Sequence, residues 1–372
     1  NGNIVMPNEE DFGANIISNT YENGVGKVVF RSSVLNVPKY AFDNKTKLTR
    51  ISFPDCVVQI EVGAFENCSG LTEFTTPDDL KYVGSYPFLG CLNIERFNGK
   101  HATEDGSGII VNGNLAAWAK KSPVEDLVIP DEVTQIGTYA FYHCTNLKSV
   151  YIPESVSVIG QSAFLGATGL KSIEIPSGVT ALNDTFRDCT SLSEVTFNEG
   201  LQTIGVEAFS GCTSLTTVEI PSTVSKVSQY AFYGCTSLKY VFFKGMTPPF
   251  GGYAMFSNNA EGRKIFVPSS TVSQYESKGD YWFTYAADLV GFDYVDKNVS
   301  DIDYKSHTDF SRDERALLYV GNSYDYVSGD HSYTYLSILP THVTSSTKHY
   351  ALEMKFKVNT AANDYKEYNL TS

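Results

Sequence analysis

The stretch IPDEVTQIGTYAFYHCTNLK, Ile129 to Lys148, decides how this chain is read. Ile152 opens a second version of it, IPESVSVIGQSAFLGATGLK, and Ile175 opens a third. The residue that ends a strand before the recurrent proline falls at Phe30, Phe53, Thr76, Gly99, Ile129, Ile152, Ile175, Phe197, Ile220, Phe243 and Val267. The gaps between them are 23, 23, 23, 30, 23, 23, 22, 23, 23 and 24 residues. Eleven coils at nearly one period mean a solenoid. A single coil cannot bury its own apolar face, so each coil covers its neighbour.

Further columns run in step with the marker. An aromatic column holds Phe42, Phe65, Phe88, Phe141, Phe164, Phe186, Phe209, Phe232 and Phe256, with Trp118 taking the place in the 30-residue coil. Three residues on, a thiol column holds Cys68, Cys91, Cys144, Cys189, Cys212 and Cys235, replaced by Lys45, Lys121 and Ala167 in three coils. A leucine-type column follows, and then the strand. These columns are core, each side chain contributing roughly 1.5–3 kcal/mol on burial. The thiols read as small buried hydrophobes with a weak donor, and Cys56, off the column, as another free thiol. The pairs Ile136-Gly137, Ile159-Gly160 and Ile204-Gly205 read as tight corners in which glycine adopts positive φ. The seven extra residues lie between Gly99 and Trp118. There Asp105 to Leu115, DGSGIIVNGNL, reads as a hairpin turning at Asn112-Gly113, a lone insertion that projects from the array as a candidate contact.

The unit IPxxVxxIGxxAFxxCxxLxxV resembles the BspA-like, or Treponema pallidum-type, leucine-rich repeats over about residues 20 to 290. The resemblance implies a β-rich solenoid, a leucine-rich-repeat right-handed superhelix with a concave parallel sheet. It also implies a bacterial cell-surface role, since the described members are adhesins that bind host matrix proteins or other cells. The family offers no catalytic residues or cofactor to carry over.

Composition bounds the alternatives. The 372 residues carry a net charge of −14, and an acidic chain without a basic stripe argues against nucleic acid and anionic membranes. No apolar run reaches transmembrane length. The opening NGNIVMPNEED reads as a trimmed chain from which a signal or lipid anchor has been removed. No CxxC or clustered histidine marks a metal site. Cys144 follows His143 without a recognisable partner for catalysis. The acidic segment Asp293 to Asp309 lacks the glycine-centred spacing of a calcium loop and reads as a solvated linker.

Three domains are expected: an N-terminal cap over 1–27 with Ile16, Ile17 and Tyr21 as its lid, the solenoid over 28–291, and a small β-rich domain over 292–372. The insertion falls at about 99–117. A C-terminal cap over 269–291 has a short helix from Val272 and uses Trp282 and Phe283 to close the open end. The final domain contains ten tyrosines and no cysteine or tryptophan, and its alternation in SYTYLSIL and YALEMKFKV reads as strands.

Alternation along each strand assigns the outward, concave positions. Among them Tyr151, Glu174, Glu194, Glu219, Tyr240, Phe242 and Phe266 are the expected partner-binding residues, acidic in the middle and aromatic toward the C-terminal end. Exposed aromatics of this kind anchor protein interfaces. The expected function is non-catalytic, extracytoplasmic recognition of a host matrix or cell-surface protein. The alternatives are a carbohydrate-binding surface module and a spacer that presents the C-terminal domain.

Overall fold

A computed structural model describes residues 12, 15–22, 25–296, 316–324 and 332–340. The chain divides into two compact units, Asn1–Ile265 with Gln274–Asp288, and Phe266–Ser273 with Leu289–Ser372. The first is the solenoid.

Each coil makes three hydrogen-bonded passes. The first is the long strand, as in Asp126–Val128, Ser149–Tyr151, Ser172–Ile175 and Glu194–Phe197, which pair in parallel in that order. In Ser172–Ile175 the burial alternates, with Ile173 and Ile175 inside and Glu174 outside, as the two-residue period of a strand requires. The second pass is a short strand of two residues, as in Gln135–Ile136 and Val158–Ile159, whose inner residue enters the core. The third is the turn edge around the aromatic column. There alternate amides donate to the next coil: Tyr139 N to Gln161 O at 3.2 Å, Phe141 N to Ala163 O at 2.7 Å, and His143 N to Leu165 O at 2.9 Å.

Outside the insertion coil, the turn edge uses two left-handed residues per coil. Examples are Tyr139 and His143 (φ 58° and 53°), Ser162 and Gly166 (55° and 70°), Asp184 and Asp188 (54° and 57°), Glu207 and Gly211 (53° and 76°), and Tyr230 and Gly234 (57° and 70°). A non-glycine residue in this region costs about 1–2 kcal/mol, which the ladder of inter-coil hydrogen bonds offsets. The expected positive-φ corners are elsewhere: Gly137, Gly160 and Gly205 do not have positive φ. Their glycine serves a different need. A Cβ on Gly160 would lie 2.5 Å from Thr138 N and 2.7 Å from Gly137 C of the preceding coil. Close approach of backbone, rather than handedness, excludes a side chain there.

The core is a stack of rings. Phe141 and Phe164 lie 4.7 Å apart and 9° from parallel, and the stack continues through Phe186, Phe209, Phe232 and Phe256 at 5.2–5.4 Å. A shorter stack joins Phe42, Phe65 and Phe88, and Trp118 sits 5.5 Å from Phe141. Beside the rings the thiols form a ladder: Cys68, Cys91, Cys189, Cys212 and Cys235 each donate Sγ to the carbonyl of the aromatic residue one coil back, at 2.9–3.2 Å. In the last coil Asn259 takes this role, donating Nδ2 to Phe232 O at 2.7 Å.

The insertion departs from expectation. Gly108–Val111 and Asn114–Trp118 form an antiparallel pair, and Asn112 and Gly113 both have positive φ (50° and 75°). The pair does not project. Ile109, Val111 and Leu115 to Trp118 are buried, and Asn114–Trp118 pairs in parallel with Gln135–Ile136. It therefore supplies the short strand of its own coil. Its antiparallel pairing is irregular between Leu115 and Ala117. Lys120, not Lys121, points inward, its Nζ 3.0 Å from Ala140 O and 3.9 Å from Cys144 Sγ. Lys121 is exposed.

Both ends of the stack are covered, at the C-terminal end by the expected Trp282 and otherwise by residues not expected. At the N-terminal end Phe12 packs on Phe30 and Phe42 at 5.2 and 6.2 Å, while Ile17 is exposed on the Ile16–Glu22 strand that pairs with Val25–Phe30. The side chain of Tyr21 lies outside the described residues. At the C-terminal end Trp282, Tyr275 and Tyr285 close over Phe243 and Phe256. Trp282 Nε1 donates to Pro249 O at 2.8 Å. Phe283 is exposed. Arg263 ties this end together through Phe256 O, Asn259 and Asp288.

In the second unit, Ser269–Thr271 forms a short 3-10 turn, and Thr271 donates its hydroxyl to Pro268 O at 2.7 Å. The Leu289–Asp296, Ala316–Tyr324 and Ser332–Pro340 strands run antiparallel in that order. The acidic segment 297–309 and the strand expected in YALEMKFKV lie outside the described residues.

Candidate functional site

The outward positions of the long strands align across coils. Asp126, Ser149, Ser172 and Glu194 form one column; Val128 stands beside Tyr151 and Glu174 beside Thr196 in the next. Further along, Thr217 pairs with Tyr240 and Glu219 with Phe242.

The seven expected residues fall into two groups. Tyr151, Glu174, Glu194 and Tyr240 are exposed. Glu219 is half-buried and ion-paired with Lys244 at 2.9 Å. Phe242 is only 8% exposed. Strand alternation alone predicted it outward, but a phenyl ring gains most from cover, and here it has it. Phe266 belongs to the second unit, half-buried, with its ring edge-on to Phe292 at 5.8 Å. The aromatic end of the expected surface is thus reduced to Tyr240, over whose ring Lys239 Nζ lies at 5.7 Å.

What remains accessible is a strip in the middle of the long-strand sheet. Val128 is 70% and Tyr151 49% exposed, and they adjoin Glu174 and Glu194. Strand alternation also puts Val128 outward, but a lone valine carries no chemical signal that would mark it as a contact. Elsewhere on this face charges are paired across coils, Arg50 with Glu73 and Lys148 with Glu125, and Ser149 Oγ donates to Asp126 at 2.6 Å. Glu174 takes a hydrogen bond from Asn198 Nδ2 at 3.4 Å. Neither Glu174 nor Glu194 has an ion-pair partner among the described residues. An apolar pair beside two uncompensated carboxylates can receive a protein surface that is apolar with a basic flank.

The thiols have no such accessibility. Burial pushes the thiols of Cys144, Cys189 and Cys212 above their ordinary range, and that of Cys235 to about 12. Cys144 faces Lys120 in the interior, while the neighbouring His143 ring lies against Gly166 at the surface. The two do not meet as a catalytic pair. Among the described residues no group of three His, Cys, Asp or Glu side chains could hold a metal ion, and no helix is long and apolar enough to cross a membrane. An open hollow of about 540 Å³ beside the insertion is lined by Gly70, Thr72, Asn93, Glu95, Lys121 and Pro123, without a thiol, an imidazole or paired carboxylates.

Several solved structures are similar. A leucine-rich cell surface protein from Faecalibacterium prausnitzii A2-165 shares 23% identity over 66% of this chain and 60% of its own, with a TM-score of 0.47. A leucine-rich repeat protein from Bacteroides ovatus ATCC 8483 shares 22% identity over 75% of this chain and 99% of its own, with a TM-score of 0.41. The T. pallidum leucine-rich repeat protein shares 27% identity over 49% and 94%, with a TM-score of 0.35. The chain therefore spans less than two thirds of the length of the F. prausnitzii structure. No curated protein matches. The model of the BspA-type leucine-rich repeat region matches in six copies, over residues 13–106, 115–239 and 182–309. With the 23-residue coil, the ring stack and the thiol ladder in place, the chain belongs to the BspA-type leucine-rich repeat family.

Proposed function

We propose that this protein is a non-catalytic, extracytoplasmic recognition module that binds a protein partner on the outward face of its long strands, the face expected to be concave. The observation that carries this reading is the strip of Val128, Tyr151, Glu174 and Glu194, exposed side chains held in register by parallel pairing. A surface fixed by the backbone ladder loses little conformational freedom on binding, so a few anchors suffice. The resemblance to surface adhesins points to a host matrix protein as the partner class. The test is binding of the intact chain to immobilised fibronectin, fibrinogen and a glycan panel, with Tyr151→Ala as the comparison. Binding to a matrix protein that Tyr151→Ala weakens supports the reading. Binding to glycans alone replaces it with the carbohydrate-binding alternative.

A further inference from the structure

The turn edge, on a different side of the coil from the long strands, carries a second patterned surface. Its inter-coil ladder runs through Tyr139, Ser162, Asp184, Glu207 and Tyr230, each amide donating to the next coil. The positions are therefore in line by hydrogen bonding. At one end stands an aromatic group: Tyr139 and Tyr142 meet at 5.7 Å and Tyr142 and His143 at 4.3 Å. At the other, Tyr230 meets Tyr233 at 5.4 Å and Tyr253 at 5.5 Å. Tyr233 and Tyr253 are exposed.

Between the two groups the side chains become charged or small. Arg187 reaches Glu207, Asp184 at 3.8 Å and Asp188 at 3.7 Å. One guanidinium thus serves three carboxylates, and negative charge remains. Small residues keep this stretch low. Gly166 lies under the His143 ring, and the Asp188 carboxylate lies across Gly211, where a Cβ would collide with it. From Tyr139 to Tyr230 is four coils, and parallel strands lie about 4.8 Å apart, so the trough is about 19 Å long. An extended peptide of about six residues spans that length at about 3.3 Å per residue.

We propose that this trough binds an extended basic peptide segment of a partner protein. Lysine or arginine side chains are received by the Asp188 and Glu207 carboxylates and by the rings of Tyr142 and Tyr233. The charge of the chain, −14, attracts such a segment in general. The rings add cation–π contact and apolar cover for the long side-chain stems, so recognition is concentrated at the edge.

The probe is a fluorescein-labelled peptide of alternating lysine and serine, with a glutamate–serine peptide of equal length as control. Binding to the full chain is read by fluorescence anisotropy at physiological salt. The lysine peptide binds and the glutamate peptide does not. Tyr233→Ala and the double variant Asp188→Asn, Glu207→Gln each weaken binding by about tenfold, the effect of roughly 1.4 kcal/mol. The double variant Asp78→Asn, Asp79→Asn removes the same charge from an exposed turn elsewhere in the solenoid and leaves binding within about twofold. Circular dichroism confirms that each variant is folded. Should the wild-type chain not bind the lysine peptide, or should both double variants weaken it equally, the trough is not the site. Neither result bears on the long-strand strip, which Tyr151→Ala tests separately.

Discussion

Replacing Gly160 by alanine separates two physical reasons for a glycine that the sequence could not tell apart. The residue does not have positive φ, so alanine carries no backbone penalty of handedness. Its Cβ would nevertheless meet Thr138 N at 2.5 Å, Gly137 C at 2.7 Å and Thr138 Cα at 2.8 Å, all backbone of the coil before. No rotamer change relieves contacts with backbone, so the two coils must part. Forced overpacking of this kind costs about 1–3 kcal/mol. For a unit of this size each kcal/mol lowers the thermal midpoint by about 2–4 °C. Gly178 is the control, because a Cβ there meets its nearest atoms at 3.4–3.6 Å, which is ordinary contact. The assay is thermal unfolding by circular dichroism of Gly160→Ala, Gly160→Asn and Gly178→Ala. Gly160→Ala should melt lower by about 2–12 °C, Gly160→Asn at least as much lower, and Gly178→Ala within about 1 °C of wild type. Asparagine tolerates the left-handed region better than alanine does. Were Gly160→Asn clearly more stable than Gly160→Ala, the close-approach argument would be refuted and the corner would owe its glycine to handedness.

Other perturbations test the core. Phe164→Ala opens a gap between Phe141 and Phe186 in the ring stack and should cost about 3–5 kcal/mol, read as a lower denaturant midpoint. The thiol of Cys235 is raised in the folded state from 9.0 to about 12. The stability linked to its neutral form is therefore complete below pH 9 and is lost as pH rises toward 12. Cys235→Ser, which keeps a donor for Phe209 O and does not ionise, should lose less stability than wild type between about pH 9 and pH 11, measured by urea titration. Lys120 is buried, and burial holds its ammonium below the usual lysine range. Ala140 O keeps a second donor in Trp118 N at 3.0 Å. Lys120→Met should therefore raise the thermal midpoint at neutral pH, since an apolar replacement of a buried charge is often stabilising; a lower midpoint would show that the ammonium contributes more than its desolvation costs.

The period was legible because burial repeats with it. The ring, thiol and leucine columns read from the sequence are the buried columns of the solenoid, and Trp118 joins the ring stack across a 30-residue coil. What the sequence concealed has local physical causes. Past Trp118 the insertion coil leaves the pattern of the repeat, and Lys120 rather than Lys121 turns inward. The hairpin was legible from Asn112-Gly113, but its role as the short strand of its coil was not, because pairing with Gln135–Ile136 is a long-range contact. The left-handed residues of the turn edge escaped notice because tyrosine, serine, aspartate and glutamate fill positions that glycine would have announced. On the candidate surface, alternation placed Tyr151, Glu174 and Glu194 outward. It could not foresee that Phe242 is covered or that Glu219 is paired with Lys244.

The central claim is that the long-strand strip is where this protein recognises its partner, and Val128 offers the most direct test. At 70% exposure its replacement disturbs little of the fold. Val128→Asp places a charge at the apolar end of the strip, beside Tyr151. The measurement is the affinity of this variant for whichever immobilised matrix protein the wild-type chain binds, with the melting curve as a control. A loss of about tenfold or more with unchanged melting is the predicted result; unchanged affinity would place recognition on another surface.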